Sequence, residues 1–118
     1  MTRRDLQGEA KKLGRPWEIG KAFERSAPIG PLAPASEVGH PSAGAITLQV
    51  NGEVRQQERT SELIFGVPAC VSFISRYVTL EPGDLIYTGT PAGVASVQRG
   101  DVLEGGVDGV GTVQCKVA

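Results

Sequence analysis

Ile46-Thr47-Leu48-Gln49-Val50-Asn51-Gly52-Glu53-Val54 is the stretch on which the reading of the fold turns. Ile46, Leu48 and Val50 alternate with polar residues, and Val54 follows the Asn-Gly pair before further polar residues. Alternation of period two describes a strand with one face against a core. Asn-Gly between two such runs fits a type I′ turn, because both residues tolerate positive φ. A β-hairpin is expected here, inside a β-rich chain.

Toward the C-terminus, Thr60 or Ser61 caps a helical stretch, and Pro68 opens a second one running through Tyr77. Val67, Cys70, Val71, Ile74 and Val78 fall on one face of that second helix. Gly83 precedes an expected short strand, Leu85-Ile86-Tyr87, which runs into Thr88-Gly89-Thr90-Pro91. Two more strands, near Val102–Val107 and Val110–Val117, surround Asp108-Gly109. Toward the N-terminus, residues 26–45 are rich in Pro, Gly and Ser without periodicity, as in a long connecting segment. Residues 2–13 read as a helix: Leu6, Ala10 and Leu13 recur at helical spacing, and Gly14 and Pro16 end it.

The chain has 118 residues, enough for a single domain, 1–118. Sixteen glycines and eight prolines exceed the background of roughly 12% and exclude a helical bundle. The fold class expected is α+β, β-rich. Residues 1–25 carry seven basic and four acidic side chains, and the whole chain has a formal charge of −1. That is too weak and too poor in interleaved aromatics for a nucleic-acid footprint. No apolar run is long enough to span a membrane, and the N-terminus has no apolar signal core. A cytoplasmic chain is expected, with neither a nucleic acid nor a membrane as partner.

Cys70 and Cys115 are too far apart in sequence to form a metal pattern. Cys70 lies in an apolar run, where a buried, inert thiol is expected. The single histidine, His40, has no second ligand at a helical or strand spacing. No Gly-x-Gly-x-x-Gly string, Gly-Lys-Thr loop or nucleophile elbow occurs.

Three groups could carry chemistry. Thr2-x-Arg4-Asp5-x-Gln7 heads the first helix, where Thr2 can cap it and Asp5 complements its dipole. Lys21, among Trp17, Ile19, Ala22 and Phe23, is expected to be partly buried. It then needs an anion, either a protein carboxylate or a substrate. Thr88-Gly89-Thr90-Pro91 presents hydroxyls and backbone donors at a strand end, either as a ligand site or as a plain polar turn.

These groups, in this order, resemble the C-terminal part of the fumarylacetoacetate hydrolase superfamily, especially its acylpyruvate and fumarylpyruvate hydrolases. The resemblance rests on Thr2-Arg3-Arg4-Asp5-Leu6-Gln7, Lys12-x-Gly14-x-Pro16-Trp17, Gly20-Lys21-Ala22-Phe23, Val50-Asn51-Gly52-Glu53 and Thr60-Ser61. It also rests on Thr79-Leu80-x-Pro82-Gly83-Asp84-x-Ile86-x-Thr88-Gly89-Thr90-Pro91-x-Gly93-Val94. It implies the family's mixed β-roll with short helices, here without its first strands. It also implies hydrolysis of a carbon–carbon bond in a β-diketo acid, or decarboxylation or isomerisation of a related keto acid, by a homodimer. By the same resemblance Lys21 is the catalytic lysine, and Gln7 and Thr90 bind the substrate. Mg2+ or Mn2+ is implied for the complete enzyme. Its carboxylate ligands and the acid–base pair are expected to precede residue 1, leaving no metal ligand and no cofactor for this chain alone. The contrasting reading is an inactive segment that serves only as an interaction or structural protein.

Overall fold

Asn51 and Gly52 take φ angles of 53° and 81°, so the expected turn residues do reverse the chain in the left-handed region. The computed structural model describes all 118 residues, 1–118. Around the turn, β1 (Ala45–Val50) pairs antiparallel with β2 (Glu53–Arg59). A second hairpin joins β3 (Val102–Val107) to β4 (Gly111–Lys116). Antiparallel pairing of β1 with β3 fuses the two into one sheet of order β2-β1-β3-β4.

Val50 and Leu103 lie directly opposite each other across the β1–β3 seam. They are the two buried hydrophobic side chains of the chain, at 8% and 7% exposure. Asn51 locks the end of this seam: its amide accepts the Val102 N–H at 2.9 Å and donates to Asp101 at 2.9 Å.

The hairpin is not regular. Gln49 faces Val54, but Leu48 faces Gln56, so Arg55 is an extra residue on β2. This β-bulge turns Gln56 onto the face of Ile46, Leu48 and Val50.

Helix α1 (Arg4–Lys12) has Asp5 in its first turn and Lys11 and Lys12 in its last, favourable at both ends of the dipole. Arg3 occupies its N-cap position without a side-chain bond; Thr2 is not the cap. A single turn, α2 (Glu18–Lys21), follows. The connecting segment contains another turn, α3 (Ala35–Val38). Thr60–Glu62 forms a 3-10 turn, and α4 spans Val67–Ile74 with proline in its first turn.

Helix α4 is shorter than expected. Past Ile74 the Arg76 N–H bonds to Phe73 O at 3.2 Å and the Tyr77 N–H to Ile74 O at 2.9 Å, tightening the chain into turns. Cys70 is half-buried rather than buried, and both cysteines are free thiols. Leu85-Ile86-Tyr87 is not a strand, since no ladder reaches it in the four-stranded sheet. No helix is long and apolar enough to cross a membrane.

The chain leaves much apolar surface uncovered. Its accessible area is 9185 Å², whereas a monomer of this size typically exposes about 6,100 Å². None of the α4 residues is buried, and Ile64, Phe65, Phe73 and Tyr77 are 59–92% exposed.

Candidate active site

Gly20 is the contact point of the two N-terminal helices. It is buried, and its carbonyl accepts the Arg3 N–H at 2.9 Å. A β-carbon there would stand 3.1 Å from the Gln7 backbone nitrogen and 3.3 Å from the Arg3 carbonyl. Only glycine lets α2 lie this close against the first turn of α1. The approach brings Gln7 and the neighbour of Gly20, Lys21, to one crossing.

The polar groups at this crossing share a pattern. Lys21 Nζ donates to Thr2 Oγ1 at 2.9 Å, leaving two further ammonium donors. Arg4 Nη1 donates to Gln7 Oε1 at 2.9 Å, so the amide NH2 of Gln7 remains available. The Arg3 guanidinium covers the Phe23 ring at 4.4 Å. Lys21 is exposed rather than partly buried. Trp17 and Ile19 are themselves 45% and 74% exposed, because α2 meets α1 through Gly20 and not through its large side chains.

The ion pair that would give Lys21 a purely structural role is absent. The ion pairs of the chain are Arg25–Glu24 and Arg55–Glu53. Lys21 instead lines an open cleft of about 510 Å³ with Arg15, Pro16, Trp17, Glu18 and Ala22. Two cations against one carboxylate favour an anion in this cleft.

Thr90 lies on a second, separate feature. The loop after Tyr87 docks on β2, where Gln56 Nε2 donates to Thr90 Oγ1 at 2.9 Å, Pro91 O at 2.8 Å and Ala92 O at 3.3 Å. Gly93, at φ 94°, passes so close to the Arg55 carbonyl that a β-carbon would overlap it. With its oxygen engaged by Gln56, the Thr90 hydroxyl can donate its proton outward. No side-chain hydrogen bond or ion pair links Thr90 to Lys21 or Gln7.

Gln56 is the residue that sequence reasoning missed. It sits in the polar run Glu53–Arg59, and a regular hairpin would have put Arg55 opposite Leu48. Only the bulge moves the glutamine inward. No three His, Cys, Asp or Glu side chains come together as a metal site.

The chain as a whole is similar to known proteins. Residues 1–118 match the family model described as fumarylacetoacetate (FAA) hydrolase C-terminal. A fumarylpyruvate hydrolase from Pseudomonas aeruginosa, solved in complex with Mn2+ and pyruvate, superimposes with a TM-score of 0.96 at 57% identity, covering 100% of this chain and 51% of that one. A maleylpyruvate hydrolase from Sphingobium sp. SYK-6, in complex with manganese(II) ion and pyruvate, superimposes at 0.80 with 36% identity, over 85% of this chain and 38% of that one. The rat (Rattus norvegicus) protein "Oxaloacetate tautomerase FAHD1, mitochondrial" is 46% identical over 117 residues, 99% of this chain and 53% of its own length. The four-stranded antiparallel sheet with its helices is thus the fold of this C-terminal domain. The chain spans about half the length of the curated relatives it matches.

Proposed function

The chain belongs to the fumarylacetoacetate hydrolase family, and from that premise we propose that it is the C-terminal portion of an enzyme hydrolysing a carbon–carbon bond in acylpyruvates such as fumarylpyruvate. The observation that carries this reading is the polarity of the candidate site. Lys21 keeps two donors, Gln7 keeps its NH2 and Thr90 keeps its hydroxyl proton, while protein donors already occupy the acceptor oxygens of Gln7 and Thr90. Free donors of this kind suit a ligand that presents only acceptors, namely a keto acid with its carboxylate and a developing enolate oxygen.

In this reading Lys21 faces the oxygen on which charge builds as the carbon–carbon bond breaks. A positioned ammonium stabilises that charge more than it does the neutral ketone, which lowers the barrier. Gln7 and Thr90 hold the carboxylate end and fix the pose. A divalent cation, Mg2+ or Mn2+, belongs to the complete enzyme and is held by residues outside this segment. The uncovered α4 surface fits a chain that packs against the rest of a longer polypeptide and a second copy, as a homodimer.

A second reading, interconversion of keto and enol forms of a β-keto acid, is supported by the 46% identity to the rat tautomerase. Both reactions place negative charge on an enolate oxygen, so the same three residues serve either. Assay of the full-length enzyme with Mn2+ separates them. Release of pyruvate and fumarate from fumarylpyruvate is the expected result. Interconversion of oxaloacetate tautomers without cleavage of fumarylpyruvate would replace the first reading by the second. A sedimentation profile with only a monomer at micromolar concentration would remove the homodimer.

A further inference from the structure

We propose that Gln56 is a positioning residue that sets the orientation of the Thr90 hydroxyl toward the substrate. This rests on the reading of Thr90 as a substrate contact. Gln56 lies opposite Leu48 on the apolar face of the sheet, at 9% exposure. An apolar side chain there would extend the core formed by Val50 and Leu103. A buried amide is costly unless its hydrogens are matched. The two amide hydrogens of Gln56 are shared among three acceptors, and every acceptor belongs to the Thr90–Ala92 segment.

Backbone geometry points the same way. The bulge at Arg55 turns Gln56 inward, and the Arg55 carbonyl is the group against which Gly93 is pressed. The loop is thus held at two adjacent points of β2, one by an amide and one by close backbone approach. Bulges re-aim side chains next to functional sites. Here the re-aimed side chain fills the acceptor side of the Thr90 hydroxyl, so that its proton is directed away from Gln56 to a bound carboxylate. Gln56 itself is buried behind the loop; it acts through Thr90.

The test is a mutant cycle in the full-length enzyme, reading KM and kcat for fumarylpyruvate, or for oxaloacetate if that is the substrate turned over. Gln56→Met conserves volume and removes both donors. It should raise KM roughly fivefold to tenfold, the effect of losing one ordered hydrogen bond, with kcat within about twofold of wild type. Gln56→Glu keeps the shape but turns an oxygen toward two carbonyls, so its KM should rise at least as far; a space-filling role predicts a wild-type KM for Gln56→Met instead. With the hydroxyl already removed by Thr90→Val, Gln56→Met should add less than about twofold, since coupled residues are not additive. An equal KM penalty in both backgrounds overturns the inference, as does a wild-type KM for Gln56→Met while Thr90→Val is impaired. A wild-type KM for Thr90→Val overturns the substrate-contact reading and the inference with it. Failure of both Gln56 variants to fold would assign the residue to the fold alone and also overturn it.

Discussion

Asn51 and Asp101 are joined by a hydrogen bond of 2.9 Å between residues fifty positions apart. The same carboxylate accepts the Gln98 N–H at 2.8 Å. Those bonds, first the Gln98 backbone and then the Asn51 amide, hold the Asp101 carboxyl below its ordinary range, aided by the charge of Arg55. A carboxylate whose folded value is depressed adds stability above its unfolded value and loses it as pH falls through the folded one. Asp101→Ala should therefore lower the melting temperature at neutral pH, and the gap from wild type should narrow as the solution is acidified below the usual carboxylate range. Melting curves at several pH values check this; a gap that widens in acid would contradict it.

Two glycines near the candidate site should respond to alanine in opposite senses. Gly8 lies inside α1 with nothing within 4 Å of a would-be β-carbon, so Gly8→Ala should stabilise by about 0.5–1 kcal/mol. At Gly20 the new carbon meets the Gln7 backbone nitrogen and the Arg3 carbonyl, which cannot move aside as a flexible side chain can. Gly20→Ala should cost roughly 1–3 kcal/mol and reduce activity by separating Lys21 from Gln7. Thermal melts of both variants give the signs directly.

Lys21→Met should leave the fold nearly intact, because methionine preserves the stem and no carboxylate loses a partner. Turnover of the full-length enzyme should fall about 10²–10³-fold, as expected when one preorganised donor to a developing oxyanion is removed. Undiminished turnover would take Lys21 out of the site.

Calorimetric titration of the 118-residue chain with Mn2+ should reveal no saturable site below the millimolar range, since no three ligating side chains converge. A stoichiometric micromolar site would mean that ligands assemble in a way this arrangement does not provide.

Much of the sheet could be read from the residues. Alternation at Ile46, Leu48 and Val50, with Asn51-Gly52 after them, encodes a hairpin locally, and Val102–Val107 with Asp108-Gly109 encodes the other. What failed was what depends on distant partners. Leu85–Tyr87 has strand composition, but a strand exists only where another chain segment offers a ladder. The bulge at Arg55 is invisible in a polar run, so the inward-facing glutamine could not be named. Lys21 was legible as a candidate through its neighbours and the family strings, whereas its exposure depends on how α2 meets α1. Gln7 and Thr90 belong to groups that pattern alone singles out, but their substrate-binding roles rest on the resemblance. The bonds that occupy their oxygens needed coordinates.

The β1–β3 seam also governs how the sheet comes together in time. Each hairpin closes through a short local turn and can form within roughly microseconds. The seam joins Val50 to Leu103, and closing that span costs roughly 3 kcal/mol more chain entropy than closing a two-residue turn. Its return comes only when Val50 and Leu103 bury each other, so the seam must assemble after the hairpins and set the pace. Lengthening the segment between Thr60 and Arg99 should therefore slow folding while leaving the strand order of the finished sheet unchanged, which stopped-flow refolding would register.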